Sequence, residues 1–249
     1  MKKSAVCLST SPRYGIDSPG VVGSLAAAGA ASLAAGVFVG PFRLGYVEMT
    51  LVGPTLMALG CLSLLLAFSL LLYSVVGKLR VRDAMLDMVK WRGDEAVLDV
   101  GTGLGLLAIG AAKRLRGGTV TGIDIWSERA LLGNGFDRAL LNIECEAVQG
   151  RVQLLTEDAC DIGFVDNSFD VVLSLLCLHN VGEADARRKA CLEIARVLKP
   201  RGIALIGDYA NVHEYASELE AAGLSVRGPV SFWHKALTPL WVVQARKKP

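Results

Sequence analysis

The sequence predicts an α/β protein in which two long apolar helices precede a mostly parallel sheet covered by helices on both faces. Two observations lead to this fold class. From residue 96 onwards, short β-rich runs alternate with segments of helical periodicity, and such alternation builds a parallel sheet between layers of helices. Ahead of them, the chain carries no charged residue for 25 positions after Asp17 and for 29 positions after Glu48.

Each uncharged stretch is longer than the roughly 20 residues that cross a bilayer as a helix. We interpret the two stretches as a transmembrane hairpin at 21–77, between a mobile tail at 1–20 and an α/β domain at 78–249. A hairpin buried in a soluble core is the alternative, but residues 78–249 already suffice for a complete domain. Gly36 and Gly40 form a G-x-x-x-G pattern that permits close approach of the second helix.

Basic residues flank the hairpin on both outer sides, whereas its connecting loop holds one Arg and one Glu. The positive-inside rule therefore predicts that both termini and the α/β domain are cytoplasmic. The basic residues are Lys2, Lys3 and Arg13 before the hairpin and Lys78, Arg80 and Arg82 after it, and Phe42 and Tyr46 of the loop suit an interfacial position.

Within the domain, periodicity and turn residues predict seven strands interleaved with helices. We expect strands at 96–100, 119–125, 152–156, 169–175, 203–208, around 226 and at 240–244, and helices at 81–90, 104–115, 128–146, 183–198 and 212–222.

The turn after the first strand is rich in glycine. Gly101, Gly103 and Gly105 lie between the strand "AVLDV" and the next helix. Glycine opens backbone angles closed to other residues, and the free amides of a helix N-terminus attract anions or hydrogen-bond acceptors. The pattern favours a nucleotide-like ligand, although a tight turn without a ligand has the same glycines.

Acidic residues end the next two strands. Asp124 follows Gly103 by 21 residues, where an acid can accept both ribose hydroxyls, and Ser127 is free to cap the following helix instead. Asp158, with Ala159, ends the third strand beside the same crevice and suits the exocyclic amine of an adenine.

The glycine spacing separates two possible ligands of this crevice. A dinucleotide fingerprint requires a glycine at position 106, where this chain has Leu106. Asp99 instead precedes the first glycine by two residues, and a carboxylate there suits a ligand whose amino-acid end carries an ammonium group.

These features resemble the class I S-adenosylmethionine-dependent methyltransferases from about Trp91 to Val243. "VLDVGTGLG" is similar to their first motif, "GIDIW" to the acidic second strand, "TEDA" to the adenine side, "FDVVLS" to the fourth strand and "RVLKPRGIALIGD" to the fifth. The resemblance implies a Rossmann-like, seven-stranded sheet and S-adenosylmethionine as the cofactor. The commoner form of "KPRG" is "KPGG", so Arg201 is a departure in a turn.

The family roles transfer to matching positions. Gly101, Thr102, Gly103 and Gly105 of the first motif would pack against the methionine and ribose parts, and Asp99 would hold the amino group. The resemblance assigns Asp124 to the ribose, Asp158, Ala159 and Ile125 to the adenine, and the backbone near Ser174 and Leu175 to the methionine portion.

The substrate side is less specific. His179, after the fourth strand, is a candidate base or orienting group, and Tyr209, after the fifth, a candidate pocket wall. Methyl transfer needs a base only when the nucleophile must lose a proton. The alternative is that His179 and Asn180 cap the next helix or pin the loop. "LHNV" is faintly similar to the "LRNV" of quinone C-methyltransferases.

Composition excludes several partners. The net charge is +2 and basic residues are dispersed, so nucleic acid is not expected. The six cysteines form no C-x-x-C pair, which predicts free thiols and no metal site; Cys160 and Cys177 stay open as substrate ligands because arsenite methyltransferases use cysteines on this fold.

We therefore expect a membrane-anchored methyltransferase that transfers a methyl group from S-adenosylmethionine to a small-molecule or lipid acceptor, such as a quinone. The short connection between the hairpin and the domain would hold the domain against the bilayer. Two alternatives remain, namely a NAD-linked oxidoreductase and a non-catalytic nucleotide-binding membrane scaffold.

Overall fold

The computed structural model describes residues 13–44, 47–127 and 131–249. Lys2, Lys3, Cys7 and Tyr46, which entered the sequence predictions, lie outside these residues. The chain begins with two antiparallel apolar helices connected by a small β-hairpin. These elements are α1 (Pro19–Phe38), β1 (Phe42–Leu44), β2 (Val47–Met49) and α2 (Val52–Leu72).

The α/β domain contains the seven predicted strands. Its strands are β3 (Ala96–Val100), β4 (Thr119–Asp124), β5 (Val152–Thr156), β6 (Phe169–Leu175), β7 (Leu198–Asp208), β8 (Leu224–Ser231) and β9 (Trp241–Lys247). Its helices are α3 (Lys78–Leu86), α4 (Leu106–Ala112), α5 (Phe136–Cys145), α6 (Ala184–Val197), α7 (Val212–Ala221) and α8 (Trp233–Ala236).

The sheet has the order β5-β4-β3-β6-β7-β9-β8. The five strands from β5 to β7 are parallel, and β9 is antiparallel to both of its neighbours. Two apolar clusters, one on each face, bury the sheet between helices. The predicted fold class, a Rossmann-like and mostly parallel sheet preceded by two apolar helices, is confirmed.

One predicted helix is much shorter than expected. The helix predicted over 128–146 is α5, which begins only at Phe136. The sequence Gly133-Asn134-Gly135 explains the difference, because Gly133 has φ +76 and Gly135 precedes the first helical turn. Ser127 therefore does not cap this helix, and its carbonyl accepts a hydrogen bond from the Asn134 amide at 3.2 Å.

The helices α1 and α2 are apolar on all sides. By length and composition, both are able to cross a membrane, with mean hydropathies of 1.8 in Pro19–Phe38 and 2.3 in the helical stretch that contains α2. Only 17% and 11% of the residues in the most apolar 18-residue stretch of each helix are buried within the protein. Their large side chains are mostly exposed, including Phe38 at 87% and Phe68 at 62%.

Glycine pairs bring these two helices together. Gly29 faces Gly60, and Gly36 faces Gly53, so closely that a Cβ on any of them would lie within about 3 Å of the partner helix. Ser32 Oγ adds a hydrogen bond to the Leu56 carbonyl at 2.8 Å. The expected Gly36–Gly40 face is therefore wrong in part, because Gly40 follows the end of α1 and no described residue lies within 4 Å of its Cβ position.

Gly60→Val is expected to lower the stability of the full chain in detergent by about 1–3 kcal/mol, the usual cost of overpacking. The new Cβ would lie 2.8 Å from the Gly29 carbonyl oxygen, which cannot move without shifting α1. Gly23→Val is the matched control, since nothing lies within 4 Å of its Cβ position. Equal melting temperatures for the two variants would contradict this helix packing.

The second apolar helix continues into the domain without a flexible linker. Helical structure runs from Val52 to Leu86, with one π-helical segment at Tyr73–Gly77. At Gly77, the domain packs closely, because a Cβ there would lie 2.4 Å from the Ala236 carbonyl oxygen. The hairpin and the domain are therefore joined by a continuous helix and direct packing.

The segment before α1 is not a mobile tail over its described part. Residues 13–17 cross the domain and bind it at both ends. The backbone of Arg13 exchanges hydrogen bonds of 3.0 Å with the Asn142 side chain, and the Asp17 amide donates to Ser74 Oγ at 3.0 Å. Lys78, almost fully buried, donates to the carbonyls of Tyr14 and Gly15 and to Asp17.

Candidate active site

A cavity of about 650 Å³ opens at the carboxyl ends of β3, β4, β5 and β6. Its volume lies within the range of small-molecule and cofactor sites. Most of the predicted site residues line it, namely Asp99, Gly101, Thr102, Gly103, Asp124, Ile125, Asp158, Ala159, Leu175, His179 and Tyr209.

The glycine turn has the backbone that its sequence predicts. All three glycines have positive φ, +71 at Gly101, +53 at Gly103 and +84 at Gly105. A Cβ at Gly101 would collide with Cys177 Sγ at 2.2 Å, so this glycine serves packing. At Gly103, the nearest atom is the flexible end of Leu131 at 3.1 Å, and the glycine forms part of the cavity wall.

Gly105 and Ser174 are not in this wall. The left-handed backbone of Gly105, directly before α4, accounts for glycine at that position. Ser174 is buried in β6, whereas Leu175, Leu176 and Cys177 after it line the cavity.

Asp99 is a buried carboxyl group at the end of β3. Its Oδ2 accepts hydrogen bonds from Thr102 Oγ1 at 2.7 Å and from the Ala108 amide at 2.9 Å. Burial, with a smaller contribution from the charge of Asp124, raises the pKa of Asp99 to about 7, although both hydrogen bonds oppose the change. A cation beside Asp99 would restore the charged form.

We expect the affinity for S-adenosylhomocysteine to increase as the pH rises towards about 7, the raised pKa of Asp99, and to change little above it. If the ammonium group of the ligand lies beside Asp99, as predicted, it favours the carboxylate, and binding below this pH then releases a proton. In the absence of ligand, the pH dependence of stability has the opposite sign. The folded state binds the Asp99 proton more tightly than the unfolded state does, so the free energy of unfolding falls as the pH rises from about 4 to about 7.

Calorimetric titration between pH 5 and 8 tests this coupling. The isosteric variant Asp99→Asn should bind more weakly at pH 8 and lose the pH slope assigned to Asp99. An unchanged slope in this variant would mean that another group titrates.

Asp124 is held rigidly at the end of β4. Its Oδ2 accepts the Gly103 amide at 2.8 Å, and its Oδ1 accepts the Trp126 amide at 2.6 Å and the Asn134 side-chain amide at 3.3 Å. The carboxylate thereby links the glycine turn to the loop after β4.

The third predicted acid, Asp158, also lines the cavity. Asp158 Oδ1 accepts the Cys160 amide at 2.8 Å, and Ala159 is buried beside it. Ile125 is 66% exposed at the cavity edge, so its apolar surface is available to a ligand.

His179 and Asp208 form a hydrogen-bonded pair on the cavity wall. His179 Nδ1 lies 2.8 Å from Asp208 Oδ1, and Asp208 is fully buried. The backbone amides of His179 and Tyr209 also donate to this carboxylate. Because Nδ1 faces the carboxylate, Nε2 is the ring nitrogen left for other partners.

The helix-capping alternative for His179 is not supported. The N-cap of α6 is Glu183, and the His179 ring binds Asp208 instead. Asn180 donates to the Leu176 carbonyl at 3.5 Å within its own loop. The Tyr209 ring lies 4.6 Å from the His179 ring and is 52% exposed.

Sequence reasoning missed one whole wall of the cavity. This wall lies at the base of the apolar hairpin and consists of Tyr14, Asp17, Ser18, Tyr73 and Lys78. The spacing of these residues along the chain carries no signal of the site, since they meet only through contacts between residues about 60 positions apart. Asn134, another lining residue, was hidden inside a helix predicted too long.

The cysteines near the cavity are poorly suited to bind a substrate atom. Burial raises the pKa of Cys177 far above its usual value, and burial with the charge of Asp158 raises that of Cys160. Within the described residues, no cluster of His, Cys, Asp and Glu is arranged to hold a metal ion. Cys145 is disulfide-bonded, so the expectation of free thiols is wrong for that residue.

Comparison with known proteins agrees with this geometry. Residues 98–206 match the methyltransferase domain family. A crystal structure of an S-adenosylmethionine-dependent methyltransferase from Aquifex aeolicus superposes with a TM-score of 0.55 at 23% identity, covering 68% of this chain and 90% of that one. This likeness concerns the fold.

Two curated relatives are similar in sequence. The ubiquinone/menaquinone biosynthesis C-methyltransferase of Dinoroseobacter shibae is 30% identical over 131 residues, covering 53% of this chain and 49% of the relative. The 27-O-demethylrifamycin SV methyltransferase of Amycolatopsis mediterranei is 34% identical over 148 residues, covering 59% and 50%. The chain thus spans about half the length of the curated relatives it matches.

The domain match confirms the predicted methyltransferase domain, and S-adenosylmethionine is the cofactor that this domain implies. The residues of the cavity fit this cofactor. One end of the cavity holds a glycine turn without side chains and the acids that follow β4 and β5. It also holds a buried carboxyl group that would ionise beside a cation. The dinucleotide alternative has no comparable support, because Leu106 stands where its third glycine is needed.

Proposed function

We propose that this chain, which carries an S-adenosylmethionine-dependent methyltransferase domain, is a membrane-anchored enzyme that methylates a lipophilic acceptor at the cytoplasmic surface of a bilayer. In this proposal, α1 and α2 span the membrane, and both termini are cytoplasmic. In this proposal the cofactor is bound by the predicted residues Asp99, Gly101, Thr102, Gly103, Gly105, Asp124, Ile125, Asp158, Ala159, Ser174 and Leu175. Gly105, Ser174 and Leu175 contribute through their backbone and its shape.

One observation carries this proposal. The cavity that contains the glycine turn is closed on another side by the base of the apolar hairpin, including Ser18, the residue before α1, and Tyr73, the residue after α2. If the hairpin crosses a bilayer, this wall lies at the membrane surface. An acceptor dissolved in the bilayer then reaches the cavity without crossing bulk water.

The exposed surface of the hairpin supports insertion in a membrane. A helix buried in a soluble core has most of its surface covered, whereas α1 and α2 contact mainly each other. A soluble protein would leave an unusually large apolar surface in water. Small residues at the helix interface and a Ser32 hydrogen bond across it are typical of membrane helix pairs.

The class of acceptor follows from the setting of the cavity and from the relatives. A domain fixed to the bilayer meets lipids and quinones at high local concentration. Several relatives act in ubiquinone or menaquinone biosynthesis by their names. Tyr14, Leu104, Leu131 and Tyr73 give the cavity wall an apolar or aromatic surface suited to such an acceptor.

In the proposed mechanism, His179 acts as the general base. The cofactor supplies a methyl group already activated on its sulfonium, so the protein must align the acceptor and exclude water. An acceptor hydroxyl donates its proton to His179 Nε2 as its oxygen or ring carbon attacks. Asp208 holds Nδ1–H at 2.8 Å and stabilises the imidazolium that forms.

Tyr209 shapes the acceptor side in this mechanism. Its ring packs against His179 at 4.6 Å and limits the rotation of the imidazole. The half-exposed ring also covers the base from solvent. No metal ion takes part in this mechanism.

Topology is tested with reporter fusions to the full chain. A reporter active only in the cytoplasm should work after Pro249, and one active only outside should work when inserted between α1 and α2. The protein should also resist extraction by carbonate. The reverse reporter pattern, or release by carbonate, would overturn the membrane anchor.

The acceptor class is tested with the full chain in lipid nanodiscs and labelled cofactor. Label should enter a lipid extract of the membrane, and a soluble extract should accept far less. Removal of residues 1–77 is unsuitable for this test, because it deletes a wall of the cavity. Equal labelling of a water-soluble acceptor would overturn the lipophilic acceptor. Binding of cofactor without transfer to any extract would favour a non-catalytic scaffold.

A further inference from the structure

Asp124 alone has too few free hydrogen-bond acceptor positions for both hydroxyls of the cofactor ribose. A carboxylate offers about four lone-pair positions, two on each oxygen. At Asp124, the amides of Trp126 and Asn134 occupy both positions of Oδ1, and the Gly103 amide occupies one of Oδ2. Counting the described part of the chain, a single position therefore remains, whereas a ribose presents two hydroxyl donors.

A second acceptor stands beside this carboxylate. Asn134 is 7% exposed and forms part of the cavity wall. Its side-chain oxygen, Oδ1, is buried and has no hydrogen-bond partner among the residues that the structure describes. A buried acceptor left unpaired costs about 1–3 kcal/mol, so its persistence calls for a ligand that donates to it.

The orientation of this amide is fixed by its other partners. Nδ2 donates to Asp124 Oδ1 at 3.3 Å and to the Ser127 carbonyl at 3.2 Å. Both partners are acceptors, so the nitrogen must face them and the oxygen must face away. Oδ1 lies 4.0 Å from the Cβ position of Gly103, the glycine that bares the backbone to the cavity.

We infer that Asn134 shares the ribose with Asp124: Asp124 Oδ2 accepts one hydroxyl and Asn134 Oδ1 accepts the other. This inference rests on the proposed cofactor site and adds a residue to it. It differs from the expectation that Asp124 alone accepts both hydroxyls. Asn134 is thus a binding and positioning residue for the nucleoside part of the cofactor.

The test measures calorimetric affinities of the full chain in detergent for S-adenosylhomocysteine and for its 2′-deoxy and 3′-deoxy analogues. In the parent protein, removal of either hydroxyl should weaken binding roughly tenfold, the effect of one hydrogen bond with an unpaired partner. In Asn134→Leu, removal of one of the two hydroxyls should weaken binding by less than about twofold. Removal of the other hydroxyl should weaken binding by the same factor as in the parent protein.

The variant Asp124→Asn should show the converse pattern, losing sensitivity to the other hydroxyl. Methylthioadenosine, which keeps the ribose but lacks the amino-acid end, should lose affinity in Asn134→Leu by the same factor as S-adenosylhomocysteine. If Asn134→Leu does not fold, the smaller Asn134→Ala is measured in the same way.

Two outcomes would overturn the assignment. If both deoxy analogues lose the same factor in the variant as in the parent, Asn134 does not contact the ribose. If only ligands with the amino-acid end are affected, its oxygen serves the ammonium group instead. Failure of the parent protein to bind S-adenosylhomocysteine at all would refute the cofactor site itself, which is a separate result.

Discussion

Gly103→Val is expected to weaken the binding of S-adenosylhomocysteine about 100-fold, equivalent to about 2.7 kcal/mol, while the domain stays folded. Gly103 has φ +53, which strains a β-branched residue, and its side chain would enter the cavity beside Leu131 and Asn134. Calorimetric titration and a thermal melt measure binding and folding separately.

Gly117→Val is the control for this substitution. It adds the same side chain at a position with nothing within 4 Å and should leave affinity unchanged. Gly103→Ala should fall between the parent and the valine variant, because a methyl group fills less of the space. A folded Gly103→Val protein that binds as tightly as the parent would mean that the cofactor site is misplaced.

His179→Ala is expected to lower kcat by about 10²–10⁴-fold, the usual contribution of a general base, without changing the affinity for S-adenosylhomocysteine. The imidazole is positioned by a fully buried carboxylate and lines the cavity. Single-turnover methyl transfer measures the chemical step directly.

Exogenous imidazole should restore part of the lost rate, because the alanine leaves space on the cavity wall. His213→Ala, which removes an exposed histidine of α7, should leave kcat unchanged. Asp208→Asn should lower kcat more than it alters KM, since it disturbs the orientation of the base. An unchanged single-turnover rate in His179→Ala would show that the acceptor needs no base at this position.

The sheet could be predicted from the sequence because its strands are short, apolar and bounded by turn residues. The bounds of β3, β5 and β6 were predicted as the structure has them. The glycine turn and the acids after the strands follow from the same local pattern, since the carboxyl ends of parallel strands meet at one edge of a sheet.

The other parts of the site depend on contacts that no local pattern records. Tyr14 and Asp17 reach the cavity because Lys78, more than 60 residues later, binds the segment that contains them. Asp208 was assigned to a strand end, but its pairing with His179 joins two loops 29 residues apart. Asn134 was missed because helical periodicity over 128–146 concealed the glycines that end the loop before α5.

Surface dilution distinguishes an acceptor that the cavity takes from the bilayer from one that it takes from bulk water. The full chain is reconstituted in vesicles that contain the methyl-accepting lipid fraction, and inert phospholipid is added at a constant bulk concentration of acceptor. If the cavity takes its acceptor from the bilayer, the rate of methyl transfer falls in proportion to the mole fraction of acceptor in the membrane. A rate that depends on bulk concentration alone would contradict uptake from the bilayer.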